Sequence, residues 1–482
     1  MSIKKNFLYN GILSVSNYIF PFLTFTYVSR TLGVENLGKC SFVDGVVNYF
    51  LLFASLGIGA IGVREIAKTN DDSQAKSKVF SSLLIFNLIS TVIVCIAYVI
   101  AIVYVAKLAA YQELLYMGLA KIISTLFLIE WFFVGIENFK FITTRSILIK
   151  VIYIALVFLL ISDSQDYKLY FLLTVVSTVI NALFNTFHAR KFVKFSFKKL
   201  AVLKYTRPML IMGMYGLLTY MYTSFNVIYL GFISGDKEVG YYTTATKIYT
   251  ILLSVFTAFT SVMLPRISLL VEEKKFEEIR GLINKSYEIL FCISIPLLVV
   301  CGILAPQIIE IIAGKGFEGA VLPMQIIMPL LLIIGIAQIL VVQILMPFNN
   351  DRSVFLNSII GAVIGVILNL LLIGKLHSVG SAIVLLVSEF AVVISANYFV
   401  KREINFTIPY KSFITNLLFA IPYVAFCWLG QATFNGSIAI VFSVWAVSGI
   451  YFVLVQKYFI KNVVFLEIEQ KLRSIVFNKL VK

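Results

Sequence analysis

Seven ionisable residues sit where water should not reach them. Asp44, Lys121, Glu130, Lys150, Lys247, Glu310 and Glu389 all fall inside long apolar runs. A charge at the centre of a bilayer costs roughly 2.5–3.5 kcal/mol on insertion scales, so such residues line a wet path, pair, or reach back to an interface. Their types limit the chemistry. Buried cations suit an anionic group passing through the membrane, and a buried carboxyl suits the uptake and release of a small cation. The rest of the chain offers no catalytic or metal-binding spacing. Cys40, Cys95, Cys292, Cys301 and Cys427 are scattered without a CxxC pair and read as small apolar packing residues. His188 and His377 fall on opposite membrane sides, and no GxxxxGK[ST] loop is present to hold a nucleotide. The expectation is a protein that is not an enzyme, with no metal and no resident cofactor, and with H+ or Na+ as its coupling ion.

The elements that must position these residues are helices. The chain has 482 residues, 60% hydrophobic and 13% charged, and apolar runs of membrane-spanning length recur throughout. Runs this long, without period-two alternation, predict an all-α polytopic membrane protein. Fourteen spans are expected, at 9–29, 41–63, 79–106, 113–135, 141–162, 169–188, 208–232, 243–265, 287–313, 320–347, 353–374, 378–400, 412–430 and 437–459. The basic amino terminus lacks a small-residue cleavage site, so its apolar stretch reads as a retained helix. Thirty of the 40 Lys and Arg fall at the amino terminus, the even-numbered loops and the tail, against seven in the odd-numbered loops. That asymmetry puts both termini in the cytoplasm and makes the +16 net charge a topology signal, not a nucleic-acid footprint. In the tail, 461–482, Ile468, Leu472, Ile475, Val476 and Leu480 share one face, as in an amphipathic helix lying on the membrane surface.

Depth sorts the charges. Lys121 and Lys150 lie eight and nine residues into their spans, roughly 12–14 Å at helical rise and near the midplane. Two readings stand: they line a cavity in the amino-terminal half, or each pairs with a carboxylate, Glu130 and Glu389 being the candidates. Glu389, and with it Glu130, could bind the coupling ion, or Glu389 could be a structural hydrogen-bonded carboxyl. Glu310 is expected to snorkel to an interface. Arg30 anchors its helix or touches substrate, while Arg64 and Arg266 are positive-inside anchors or lipid-headgroup contacts. Pro21, Pro296 and Pro329 should interrupt their helices.

One short pattern occurs twice. "GVENLG" (Gly33–Gly38) and "GDKEVG" (Gly235–Gly240) are 202 residues apart, and the same offset carries Arg64 onto Arg266. The offset spans six helices, an even number, so it predicts a parallel repeat of two six-helix lobes. The helices after the two loops should be equal in length. Asp44 maps beside Lys247, and the two are expected to pair near the periplasmic boundary as a gate.

The stretch "YVSRTLGVENLGKCSFVDGVVNYFLLFASLGIGAIGVREIAK" resembles the opening of bacterial polysaccharide-export flippases, the Wzx-type O-antigen and capsule repeat-unit translocases. These belong to the multidrug/oligosaccharidyl-lipid/polysaccharide exporter superfamily. The resemblance implies two six-helix lobes around a central cavity, over 1–195 and 196–402, with two additional helices in 403–460. It implies a substrate, an oligosaccharide on undecaprenyl pyrophosphate, moved from the cytoplasmic to the periplasmic leaflet of the inner membrane. A polysaccharide polymerase and a chain-length regulator are the expected protein partners, beside the bilayer itself. A cation-coupled multidrug exporter and a lipid II flippase share the architecture and remain as alternatives. A membrane polymerase or ligase is disfavoured, because every odd-numbered loop is short.

Overall fold

The computed structural model describes residues 3–69, 72–196, 200–404, 406–462, and 465, 466 and 469. Every regular element among them is a helix. Within hydrocarbon a backbone amide finds its partner inside its own helix or in a closed barrel, so apolar runs of this length fold this way. Among the described residues, nine helical stretches are long and apolar enough to cross a membrane, or eleven if two bent pairs each count as one. The chain is a multi-pass membrane protein.

The stretches Ile19–Ala67 and Asp351–Arg402 hold 49 and 52 residues. Either would reach about 75 Å as one rod, against a hydrocarbon core of about 30 Å, so each has the length of two crossings. Both are interrupted, at Gly33 (φ 74°, ψ 172°) and at His377 (φ 50°, ψ −126°). The expected span 113–135 divides into Gln112–Ser124 and Glu130–Gly135, each shorter than a crossing. Length and apolarity alone therefore do not return fourteen separate spans.

Prolines shape fewer helices than expected. Pro21 and Pro296 lie inside unbroken helical stretches, whereas Pro329 sits at the 40° bend joining Glu318–Ile327 to Leu330–Leu345. A proline deletes one amide donor, which a long helix absorbs. The break in the first stretch falls instead at Gly33, whose φ a side chain would oppose.

The chain forms two compact units, Met1–Thr243 with Val366–Ser381, and Thr244–Gly365 with Ala382–Lys482. In the first, Asp72 starts the helix Ser73–Tyr104 by accepting from the amides of Gln74 and Ala75 at 2.8 and 3.0 Å. Phe80, Trp131, Phe132 and Phe133 form an aromatic core near that end, joined by Ile66 and Met209. Gly57 and Gly213 let Ile58–Ala67 and Val202–Thr223 approach closely: a Cβ on Gly57 would lie 2.6 Å from the Met209 carbonyl oxygen. Gly57 also ends the helix that follows the first doubled loop, whereas Asp236–Glu272 continues unbroken after the second. The two helices are thus unequal in length.

In the second unit, Glu310 accepts from Ser437, and Gln431 bonds Gln307 at 3.5 Å. These contacts tie the start of the helix Ser437–Leu454 and the end of Ile421–Thr433 to the helix Ala305–Ile312. The amphipathic face expected in 461–482 lies outside the described residues.

Candidate functional site

The helix after Gly33 restarts at once, at Val34, so the polar residues before position 41 are already helical. Asp44 is therefore ten residues in, about 15 Å along the axis, and is not shallow. Lys121 lies nine residues into Gln112–Ser124, about 13–14 Å. The depths match, and the two side chains meet: Lys121 Nζ donates to Asp44 Oδ1 at 2.7 Å. Asn48 donates to the other carboxylate oxygen at 3.1 Å, and the ammonium stands 5.0 Å from the centre of the Phe171 ring. The partner of Lys121 is neither Glu130 nor Glu389. Asp44, expected opposite Lys247, has its ion pair inside its own unit.

Glu130 is also taken. It accepts from Arg145, a guanidinium only 4% exposed that also stands 5.5 Å from the Phe141 ring. Arg145 lies inside the expected span 141–162, yet it is not one of the seven charges the sequence singles out. Its helix, Phe139–Leu160, starts under the Asn138 cap, which would have placed Arg145 two turns inside. Two of its nitrogens, Nε and Nη1, have no acceptor among the described residues. A buried donor left unmade costs about 1–3 kcal/mol, so such a group calls for a partner.

Lys150 stands on the same helix. Among the described residues its hydrogen bonds run to neutral oxygens, Ser16 Oγ at 3.3 Å and Asn17 Oδ1. The helix Phe139–Leu160 thus carries two cations, Arg145 paired with Glu130 and Lys150 bonded to Ser16 and Asn17 of Ile3–Ser55. Adding Lys121 and Asp44 gives three cations and two anions, a net +1 among these five residues. Guanidinium and ammonium donors arranged this way suit an oxyanion such as a phosphate.

The remaining candidates stand apart. Arg30, Arg64, Arg266 and Lys247 are exposed, and Arg64 Nε pairs with Glu65 at 3.2 Å. Glu310 is exposed, as snorkelling predicts. Glu389 is only 5% exposed, on the helical face with Leu385 and Val392 in the second unit. Sequence reading missed a buried neutral network in the first unit. Asn369 donates to Asn226 at 2.7 Å, and Asn226 donates to Tyr242 and to the Ser381 carbonyl at 3.2 and 3.3 Å. Uncharged polar residues in apolar runs carry the signal that would have found it.

A family model described as "Polysaccharide biosynthesis protein" matches residues 3–271, more than half of the chain. The chain belongs to that family. It is similar, at 26% identity over 84% of its length and 98% of the relative's, to a protein of Escherichia coli (strain K12) named "Putative O-antigen transporter". It is also 22% identical, over 83% of its length and 99% of the relative's, to the capsular polysaccharide biosynthesis protein CapF of Staphylococcus aureus. Among solved structures, the lipid II flippase MurJ in an inward closed conformation matches with a TM-score of 0.72 at 16% identity, covering 98% of this chain and 100% of that one. An inward-facing multidrug resistance MATE family transporter of the MOP superfamily matches at 0.64 and 16% identity, covering 84% and 95%. This polysaccharide biosynthesis family member therefore has the all-helical fold of the MOP-superfamily transporters.

Proposed function

We propose that the protein flips undecaprenyl-pyrophosphate-linked oligosaccharides across the cytoplasmic membrane by alternating access, with both termini cytoplasmic. The family and the fold support a lipid-linked glycan transporter, and no chemical step is assigned to the chain. One observation carries the substrate: Arg145 and Lys150, on one helix, hold donors that no carboxylate consumes. Such donors would receive the diphosphate of a carrier lipid while the sugar crosses beside it. A cationic drug would be repelled by the same pair, which counts against the multidrug alternative. The basic residues concentrated at the termini and even-numbered loops support the orientation.

The test is export of lipid-linked repeat units in a strain relying on this protein. Lys150→Gln is expected to lower export about tenfold at unchanged membrane level, the scale of one lost charged contact of ~1.4 kcal/mol, and Lys150→Arg to retain most of it. Parent-level export by Lys150→Gln removes the ammonium from the substrate path.

A further inference from the structure

The doubled glycine loops fold alike and then grip one another. Gly33 (φ 74°, ψ 172°) and Gly235 (φ 87°, ψ 179°) share one backbone conformation, and each starts a new helix. Five residues on, Gly38 and Gly240 are helical, and it is their missing side chains that matter. A Cβ on Gly38 would lie 1.8 Å from the carbonyl oxygen of Asp236 and 2.9 Å from the amide nitrogen of Gly240. A Cβ on Gly240 would lie 2.2 Å from the carbonyl oxygen of Val34. The 202-residue offset maps Gly38 onto Gly240 and Val34 onto Asp236. The two contacts are therefore the same contact made twice, each repeat's first helical turn seated on the other's glycine, as at a self-complementary twofold interface.

Neighbouring contacts extend the seam. Gly231 lies under the Phe42 ring, and Gly45 faces Val227 at 3.3 Å from its would-be Cβ. The Tyr111 hydroxyl donates to Asp236 Oδ1 at 2.7 Å. Burial first, and then that hydrogen bond to Asp236, raise the Tyr111 phenol above its ordinary range, so it stays a donor. On the far side, the Ser378 amide donates to Glu238 at 3.1 Å and His377 bonds Ser234 at 2.9 Å. All of these residues lie in the first compact unit, at the odd-numbered-loop ends of their helices.

We propose that the paired glycine turns are a latch that seals the odd-loop side of the transporter, made by backbone-to-backbone contact between the two repeats. The two glycine contacts themselves set backbone against backbone and bring no charge between the repeats. The latch also has a steric threshold. One methyl group at Gly38 or Gly240 meets backbone that cannot rotate away, whereas at Gly45 it meets the side chains of Val227 and Ile228. At Gly216 it would meet nothing within 4 Å.

The inference rests on alternating access for its role in transport, but the latch itself is read without transport. Val46 is 4% exposed, one turn beyond Phe42 on the line through Gly38. Val46→Cys, in a background lacking the native cysteines, reports opening by reaction with a membrane-impermeant maleimide added to spheroplasts. Gly38→Ala and Gly240→Ala are expected to speed labelling at least about tenfold, a population shift toward the open side, with Gly45→Ala only slightly faster and Gly216→Ala at the parent rate. Tyr111→Phe alters no backbone and should speed labelling by a smaller factor. Faster labelling supports the latch whatever happens to export. Parent-rate labelling in Gly240→Ala and Tyr111→Phe protein that runs monodisperse in detergent overturns it, as does export loss without faster labelling.

Discussion

Arg145 shows how a single side chain can be structural and functional at once. Among the described residues its guanidinium is buried, Glu130 is its one anionic partner, and two of its nitrogens find no acceptor. Removing one member of a fully buried ion pair costs about 3–5 kcal/mol, because the other charge stays behind. The Glu130 side chain is 51% exposed, so water already shares its charge, and a smaller penalty applies. Glu130→Ala is expected to destabilise the purified protein by about 1–2 kcal/mol, read as a lower Tm in detergent. Glu130→Gln, which still offers an acceptor oxygen, should recover about half of that loss. An unchanged Tm in Glu130→Ala would mean that the guanidinium is hydrated in place. The same bookkeeping explains why Lys121 and Lys150 differ. Lys121 is met by a carboxylate and an aromatic face, while Lys150 is held by a hydroxyl and an amide.

At the scale of elements, the glycines of one motif do separate jobs. Gly33 and Gly235 have open space around the position of a Cβ, so their requirement is purely conformational. Their φ and ψ fall in a region that is almost entirely glycine's. Gly33→Ala and Gly235→Ala should therefore each cost about 1–3 kcal/mol, visible as a lower Tm, because the helix can no longer break and restart there. Gly38→Ala and Gly240→Ala keep an ordinary helical backbone, so they should cost less Tm where the seam can part and change labelling more. Equal effects from all four substitutions, on both measurements, would erase the distinction. The motif spacing was legible in the sequence. The division of labour was not, since Gly33 and Gly38 differ only in what surrounds them.

For the whole molecule, the distribution of Lys and Arg makes a claim about sidedness that the fold does not make by itself. Lys275 lies in the turn between Asp236–Glu272 and Phe276–Ile303, an even-numbered loop. Its ammonium is held above its usual range by Glu273 and then Glu278, on a solvated surface. Asp236 and Lys315 lie on odd-numbered loops. Cysteines placed at 275 should react with an impermeant reagent only in inverted vesicles, and those at 236 and 315 only from the outside, position 236 slowly because it is held in the latch. The reverse pattern would turn the protein over, and with it the direction in which the latch opens. The outcome at 315 is the cleanest, because that loop belongs to the second compact unit and takes no part in the seam.

Apolar runs with no alternation dictated helices, because hydrocarbon offers a backbone amide no other partner, and that much required only the chain. The repeat was equally plain, because a 202-residue offset is a property of letters. Which charge meets which was decided by the tertiary structure. Asp44 reaches Lys121 because Gly33 lets the helix begin seven residues before the apolar run does, and hydropathy cannot see a polar helical turn. Arg145 is buried because the fold packs it against Glu130 and Phe141, while the sequence shows only a cation near the start of an apolar run. The meeting of Gly38 with Asp236, and of Gly240 with Val34, lay furthest from view. It depends on two turns distant in sequence packing to within the width of a methyl group, and only three-dimensional proximity sets that distance.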